Sequence, residues 1–437
     1  MPVEPPAEPP TDRPADQADT DFFTSGALVK DPYPYYEALR VRCPVTREPH
    51  HGVAMVTGYD EALEVYRDPE RLSSCVSVTG PFPGFPVPLK GDDLTELIEQ
   101  HRDELPYSDQ LPTFDPPEHT KHRGLLLRLL SPRRLQENEA AMWRLADHQL
   151  DECLAGDGRC EFLADFAGPF TMLVIADLLG VPEEDHDLFR RGTGQVKGGF
   201  GSTSGEELAH APLAFLYEAF TAYVEERRRE PRDDTLTRLA QATFKDGSTP
   251  EVIDVVRLAA NLFAAGQETS VRMLAAAVQA MAEDPELQAQ LRADRSLLPG
   301  FIEEILRFES PVKGDDFRLA RVPVTIGGVD LPAGTMLMLL NGAANRDPRH
   351  FDHPDELQPQ RENAREHLAF GHGIHYCPSA PLARAEGRIA LERLLDRTVD
   401  IRLSEAEHGP PGARRFRYLP TFILRGTQRL HLELTVA

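Results

Sequence analysis

The chain has 437 residues, with 47 lysines and arginines against 71 aspartates and glutamates, for a formal net charge of -24. So acidic a surface repels nucleic acid and anionic lipid, and neither is an expected partner. No run approaches the roughly 18 to 20 apolar residues that span a bilayer, and five cysteines without CxxC pairs point to reduced thiols in a cytoplasmic protein, not to a disulfide frame.

Met1 to about Asp19 mixes proline with acidic residues and has no apolar core of a signal peptide. This predicts a disordered tail over about 1–20. No Gly/Ser-rich linker or repeat divides the remainder, so 21–437 reads as a single domain. Pro32 to Arg40 predicts a short helix, Val53 to Thr57 a strand and Tyr59 to Arg67 a helix. Pro81 to Pro112, rich in proline, glycine and charge, reads as a long loop with short turns, and loops of that length are usually functional. Asp115-Pro-Pro-Glu-His-Thr-Lys-His-Arg123 opens another helix, and helical patterns run on to about Ala242, including Pro132 to Cys153 and Gly205 to Arg229. Arg123, Arg128, Arg133 and Arg134 form a local basic cluster, either a docking patch for a small acidic protein or a solvated helix face.

From Pro250 to about Glu283 the pattern is one helix of roughly thirty residues, on the order of 45 to 50 Å long, which has to cross the core. Its apolar stretch through Phe263, Ala264 and Ala265 is interrupted by Gly266, then Glu268 and Thr269. A carboxylate and a weak helix former are costly in such a place unless they serve something; the alternative is a solvent-exposed kink. Phe301 to Pro311 predicts a helix with Glu304 and Arg307 three apart on one face. Strand signals with glycine turns follow at Val322 to Leu331, Thr335 to Leu340, Thr421 to Leu424 and Leu430 to Val436. The expected fold class is mainly α with a small β region.

Phe370-Gly-His-Gly-Ile-His-Tyr-Cys377 then precedes an alanine- and leucine-rich helical stretch. Glycines permit close backbone approach, and a cysteine at the start of a helix gains from amide dipoles that favour thiolate. A lone thiolate suits haem iron. Two other readings stay open on this window: a zinc site of His367, His372, His375 and Cys377, or an ordinary turn with a buried thiol.

Taken together, the cysteine turn, the Gly266-Gln-Glu-Thr269 interruption, the Glu304/Arg307 helix and the Asp115 to Arg123 segment resemble the bacterial cytochrome P-450 family, over about Asp31 to Leu434. The resemblance implies a triangular helical body with haem b between the long central helix and the cysteine-loop helix. It implies Cys377 as the axial ligand, whose donation favours O–O cleavage, with Thr269 holding dioxygen and a water, and Glu268 relaying protons. His119, Arg123, Arg318 and His375 are the implied haem-propionate partners, with Ala265, Gly266 and Phe370 also at the cofactor. Glu304, Arg307 and Arg361 are the implied structural ion network. His122 has no counterpart in the family pattern and takes a surface reading.

The expected activity is insertion of one oxygen atom from O2 into a hydrophobic organic substrate such as a terpenoid, steroid, fatty acid or polyketide; the alternative is a haem-binding module without turnover. Implied pocket walls are the loop Pro81 to Leu94, Phe263, Ala264, Val312 and Phe422, while Lys313 reads as solvent-facing. The sequence carries no dinucleotide fingerprint, flavin domain or iron–sulfur cysteine set, so electrons from NAD(P)H are expected through a separate ferredoxin and ferredoxin reductase, to a monomer. One departure stands out: the family has glycine two residues after the cysteine, and this chain has Ser379, whose hydroxyl can hydrogen-bond the sulfur.

Overall fold

The computed structural model describes residues 18–193, 211–314 and 316–437. The expected tail over 1–20 therefore lies almost wholly outside the described residues, as does the 205–210 part of the helix expected from Gly205. Where the described chain begins it is already packed. Ala18, Phe22 and Phe23 are buried, and Asp19 pairs with Arg42 at 3.2 Å.

The organising element is the helix Val252–Glu283, 32 residues long and so about 48 Å from end to end. It starts at a capping box in which Glu251 and Asp254 satisfy each other's backbone amides, and it stops at Asp284, whose side chain caps the next helix, Pro285–Ala293. The helices Gly168–Leu179, Ala211–Arg229, Leu298–Glu309 and Ala380–Arg397 pack around it. Packing against those four helices buries most of its apolar side chains. Its buried residues run from Val255 to Met281.

The β region is small and lies at one side. A five-stranded sheet runs in the order Val45–Arg47, Ala54–Val56, Met336–Leu339, Asp316–Ala320, Leu72–Ser73. Its second and third strands are parallel, Ala54 opposite Leu337, and its other pairings are antiparallel. A second sheet joins Arg159–Glu161, His431–Val436 and Thr398–Leu403. The hairpin Val324–Ile326 with Val329–Leu331 turns through Gly327 and Gly328 at φ +54° and +80°, the double left-handed turn that two-residue hairpins require. Thr421 to Leu424, expected as a strand, contributes one isolated bridge, Leu424 to Val312. Within the long loop expected from Pro81 to Pro112, Thr95–His101 is helical.

Candidate functional site

The cysteine turn is built by its glycines. Gly371 and Gly373 sit at φ +66° and +70°, and a Cβ on Gly373 would strike the Tyr66 carbonyl. The Cys377 amide donates to the Phe370 carbonyl at 2.8 Å and closes the loop. Helix Ala380–Arg397 begins just beyond, with Ser379 at its N-cap position. The serine hydroxyl makes no capping bond; its Oγ lies 3.3 Å from Cys377 Sγ. Burial raises the thiol's pKa, opposed by the Ser379 hydroxyl, by the Ser379 and Ala380 amides and by the Arg123 charge. Thiolate is thus favoured by the dipoles around the sulfur and disfavoured by desolvation alone.

Beside the thiol, four nitrogen-bearing side chains converge. The His119 and His375 rings lie 4.2 Å apart, Arg123 donates to the Tyr376 carbonyl, and Arg318 is buried with Nη1 on the Phe317 carbonyl at 2.8 Å. Burial holds His119 down to about 4, with Arg123 adding to the effect. His375 is depressed further, by burial and then by Arg318, His119 and Arg123. Asp115 is the hub that positions this group. It accepts from Ser73 Oγ (2.5 Å), the Ser74 amide (2.8 Å), Arg102 (2.7 Å) and Arg321 (2.6 Å), and Ser74 Oγ lies 3.1 Å from His375 Nε2. His119 Nε2 is buried with no partner among the described residues. An orphaned imidazole nitrogen beside two arginines is the environment a carboxylate-bearing group would complete, so the residues fit haem propionates.

On the central helix, Ala265 is exposed although its neighbours Leu262 and Phe263 are buried, and Asn261 and Thr269, one turn to either side, are half-buried. Residues 261, 265 and 269 share one helix face at four-residue spacing, and that face looks onto open space. Thr269 Oγ1 donates to the Ala265 carbonyl at 3.0 Å, leaving its lone pairs free to accept. Glu268 is held by Arg272 (Nε–Oε1 2.7 Å), which also donates to the Thr427 carbonyl.

Several expectations are corrected here. Gly266 does not clear space for a cofactor: a Cβ there would lie 2.9 Å from Ile175 Cδ1, so its smallness serves packing against helix Gly168–Leu179. Phe263 is wholly buried, its ring 5.2 Å from Phe189 and 6.4 Å from Phe220, and it therefore belongs to helix packing rather than to a pocket wall. Ala264 is half-buried against the same core. Phe422 is buried among Phe22 and Phe23, at 6.3 and 5.0 Å, while Val312 stays half-buried beside this cluster. Lys313 is buried, not solvent-facing; its Nζ donates to the Thr421 carbonyl at 2.9 Å, and its backbone amide donates to the Ile423 carbonyl at 2.9 Å, so the segment 421–423 takes up the residue. His122 is likewise buried, packed on Phe114 and Phe244. Of the basic cluster, Arg134 is spent on the carbonyls of Asp177 and Leu178.

Glu304, Arg307 and Arg361 form a buried ion network. Glu304 and Arg307 are fully buried and paired at 2.7 and 2.8 Å, and Arg361 Nε lies 3.1 Å from both Glu304 oxygens. Arg307 and Arg361 also donate to carbonyls of the segment 345–356, tying down the backbone that leads to the cysteine turn. Phe370 supports that turn, with the Arg384 guanidinium 4.7 Å from its ring. His367 is committed to Glu303 at 3.1 Å, and no group of three or more metal-ligating residues assembles among the described residues. The zinc reading thus loses its ligand set. Sequence reasoning missed Asn261, Gln110, Ser74 and Glu386. Glu386 is buried, accepts from Ser270 Oγ at 2.5 Å and is pushed up to about 8 by burial.

The family model for cytochrome P450 matches residues 204–399. The chain is 33% identical to the cytochrome P450 monooxygenase PikC of Streptomyces venezuelae, across 92% of this chain and 91% of that protein. It is also 33% identical to a vitamin D(3) 25-hydroxylase of Pseudonocardia autotrophica, across 94% and 95%. A solved structure of substrate-free Mycobacterium marinum cytochrome P450 CYP150A6 superposes with a TM-score of 0.90 at 52% identity, covering 96% of this chain and all of that one. Among the described residues no helix is long and apolar enough to cross a membrane. With a half-buried thiol at a helix start, cationic groups converging beside it and relatives matched along nearly their whole length, the chain belongs to the cytochrome P450 family of monooxygenases, whose cofactor is haem on a cysteine thiolate.

Proposed function

We propose that this protein inserts one atom of O2 into a hydrophobic organic substrate of terpenoid, steroid, fatty acid or polyketide type, with electrons relayed from NAD(P)H by a separate ferredoxin and its reductase. Haem on a thiolate supplies the oxygen activation, since sulfur donation favours O–O cleavage. Cys377 is the proposed ligand. The observation that carries the reading is the set of donors around its sulfur, together with His119, Arg123, Arg318 and His375 gathered beside it.

The roles follow from the geometry of each group. Arg123 and Arg318 bind the propionates as charge-assisted donors, and His119 and His375, 4.2 Å apart beside them, act as imidazole hydrogen-bond partners. Thr269, with its proton given to the Ala265 carbonyl, accepts from a water on the open side and orients it. Glu268, 44% exposed and held by Arg272 at 2.7 Å, is the proposed proton relay. Ala265 leaves the open face clear. The hydroxylase relative supports hydroxylation as the reaction.

The test is the spectrum of purified protein, reduced and exposed to carbon monoxide, followed by turnover with a ferredoxin and reductase pair. A thiolate-type Soret band that disappears in Cys377→Ser, with NAD(P)H-dependent oxygenated product, is the expected result. An unchanged spectrum in that variant sinks the ligand assignment. A retained band with no product under any redox pair leaves a haem-binding module in its place.

A further inference from the structure

One polar network borders the open face of the central helix and has no part in the oxygen chemistry. Arg257 on that helix pairs with Asp109 at 2.6 Å. Asp109 Oδ1 accepts from Gln110 Nε2 at 2.9 Å, and Gln110 Nε2 also donates to Tyr217 Oη at 2.6 Å. Gln110 Oε1 in turn accepts from Asn261 Nδ2. Three separate segments meet in it: the loop before residue 115, the helix Ala211–Arg229 and the helix Val252–Glu283.

The polarity of this chain is fixed from its charged end. A carboxylate can only accept, so Gln110 has to present its nitrogen to Asp109 and its oxygen to Asn261. Asn261 must then present its nitrogen to Gln110. Its carbonyl oxygen, Oδ1, accepts no hydrogen bond among the described residues and belongs to a half-buried side chain. Asn261 is half-buried and stands four residues before Ala265 on the same face, about 6 Å along the axis at 1.5 Å per residue. The rest of the helix around it, Leu258 to Ala260 and Leu262 to Phe263, is buried and apolar.

We infer that Asn261 Oδ1 is a fixed acceptor that selects substrates carrying a hydrogen-bond donor, a hydroxyl or an N–H. That donor lies about one helical turn from the position oxidised opposite Ala265. This rests on the monooxygenase reading above and narrows its hydrophobic substrate class to members that carry an alcohol or amine. Because the amide cannot flip without opposing Gln110 oxygen to oxygen, an acceptor-only ligand such as a ketone gains nothing there. Gln110 and Asp109 are positioning residues in this scheme.

The experiment compares matched steroids, a hydroxysteroid, its ketone and its deoxy counterpart, by the Soret shift that each induces in the haem-loaded wild type, Asn261→Leu and Asn261→Asp. The hydroxysteroid is expected to bind about five- to tenfold tighter than its deoxy and keto partners, the value of one hydrogen bond to a neutral group. Asn261→Leu is expected to erase that preference and Asn261→Asp to weaken it, because its carboxylate has no donor for Gln110 Oε1 and opposes it oxygen to oxygen. Equal affinities in the wild type, a preference that survives in the leucine variant, or a panel in which no hydroxysteroid shifts the band overturns the inference. Failure of the monooxygenase reading is distinguished beforehand, because the carbon monoxide spectrum reports the thiolate-bound haem without any substrate.

Discussion

Ser379→Gly is the substitution with the sharpest expected signature. Serine at an N-cap position ordinarily accepts from an amide of its own helix, yet here the hydroxyl leaves the cap unmade and stands 3.3 Å from Cys377 Sγ. With the Ser379 and Ala380 amides it is one of three donors that favour the charged sulfur. Hydrogen bonds to charged groups are worth about 1.5 to 3 kcal/mol. Only the difference between the two haem oxidation states enters the reduction potential. Adding one electron increases the charge on the iron–sulfur unit and strengthens the bond, and the gap between neutral and charge-assisted hydrogen bonds, about 0.5 to 1.5 kcal/mol, sets the scale of the difference. At 59 mV per factor of ten for one electron, this corresponds to about 20 to 60 mV. The glycine variant, lacking the donor, should therefore be harder to reduce than the wild type by that amount. Spectroelectrochemical titration of the substrate-free protein measures it directly. Ser379→Ala serves as the control: it should move the potential the same way, since no capping bond is lost. A potential that stays put or rises in both variants refutes the reasoning, and a shift in glycine alone assigns the effect to backbone freedom rather than to the hydroxyl.

Glu304→Ala strips the partner from two buried guanidinium groups, Arg307 and Arg361, and breaking a buried pair in this way costs about 3 to 5 kcal/mol. The variant should purify with reduced haem content and a lowered melting temperature; full occupancy with unchanged melting would show that the network is dispensable. Glu386, raised to about 8 by burial, is protonated in the folded state and ionised in the unfolded chain above its ordinary 4.5. Its contribution is present below pH 4.5 and is lost as pH rises through 8, so Glu386→Gln should match the wild type near pH 4.5 and exceed it in thermal stability by pH 8; parallel melting curves at both ends would contradict this. Lys313, lowered to about 7 by burial and then by Arg425, has the opposite slope: stability is present above pH 10.5 and lost as pH falls to 7. Lys313→Met should thus stabilise the protein most at or below pH 7, by on the order of 3 to 5 kcal/mol, with the gain shrinking toward pH 10; a constant or absent gain counts against a buried neutral amine.

Periodicity and turn chemistry were enough to place the long elements. The central helix was legible because thirty residues of helical pattern end at Asp284-Pro285, and the observed bounds, Val252–Glu283, differ by two residues from those expected at its start. The cysteine turn was legible for a similar reason: glycine adopts φ +66° and +70° at positions 371 and 373 at no steric cost, so the turn is written in residue identity. The Glu304/Arg307 pair followed from helical spacing, and the serine–sulfur contact followed from two-residue proximity. These are local signals, carried by neighbours in sequence.

What tertiary structure alone decided was direction and partnership across the chain. Gly266 and Phe263 lie within three residues of each other on the helix, but packing against Ile175 and against Phe189 and Phe220 turns both away from the open face that Asn261, Ala265 and Thr269 share. Lys313 looks solvent-facing until the Thr421 carbonyl, 108 residues away, takes up an N–H of its Nζ. Gln110 and Asn261 are separated by 151 residues, and Ser74 and His375 by 301. No periodicity in one segment encodes which side chain of a distant segment will face it, because that is set by how whole helices and strands pack. The sequence therefore named the chemistry, and the assembled core determined which residues on each element can take part in it.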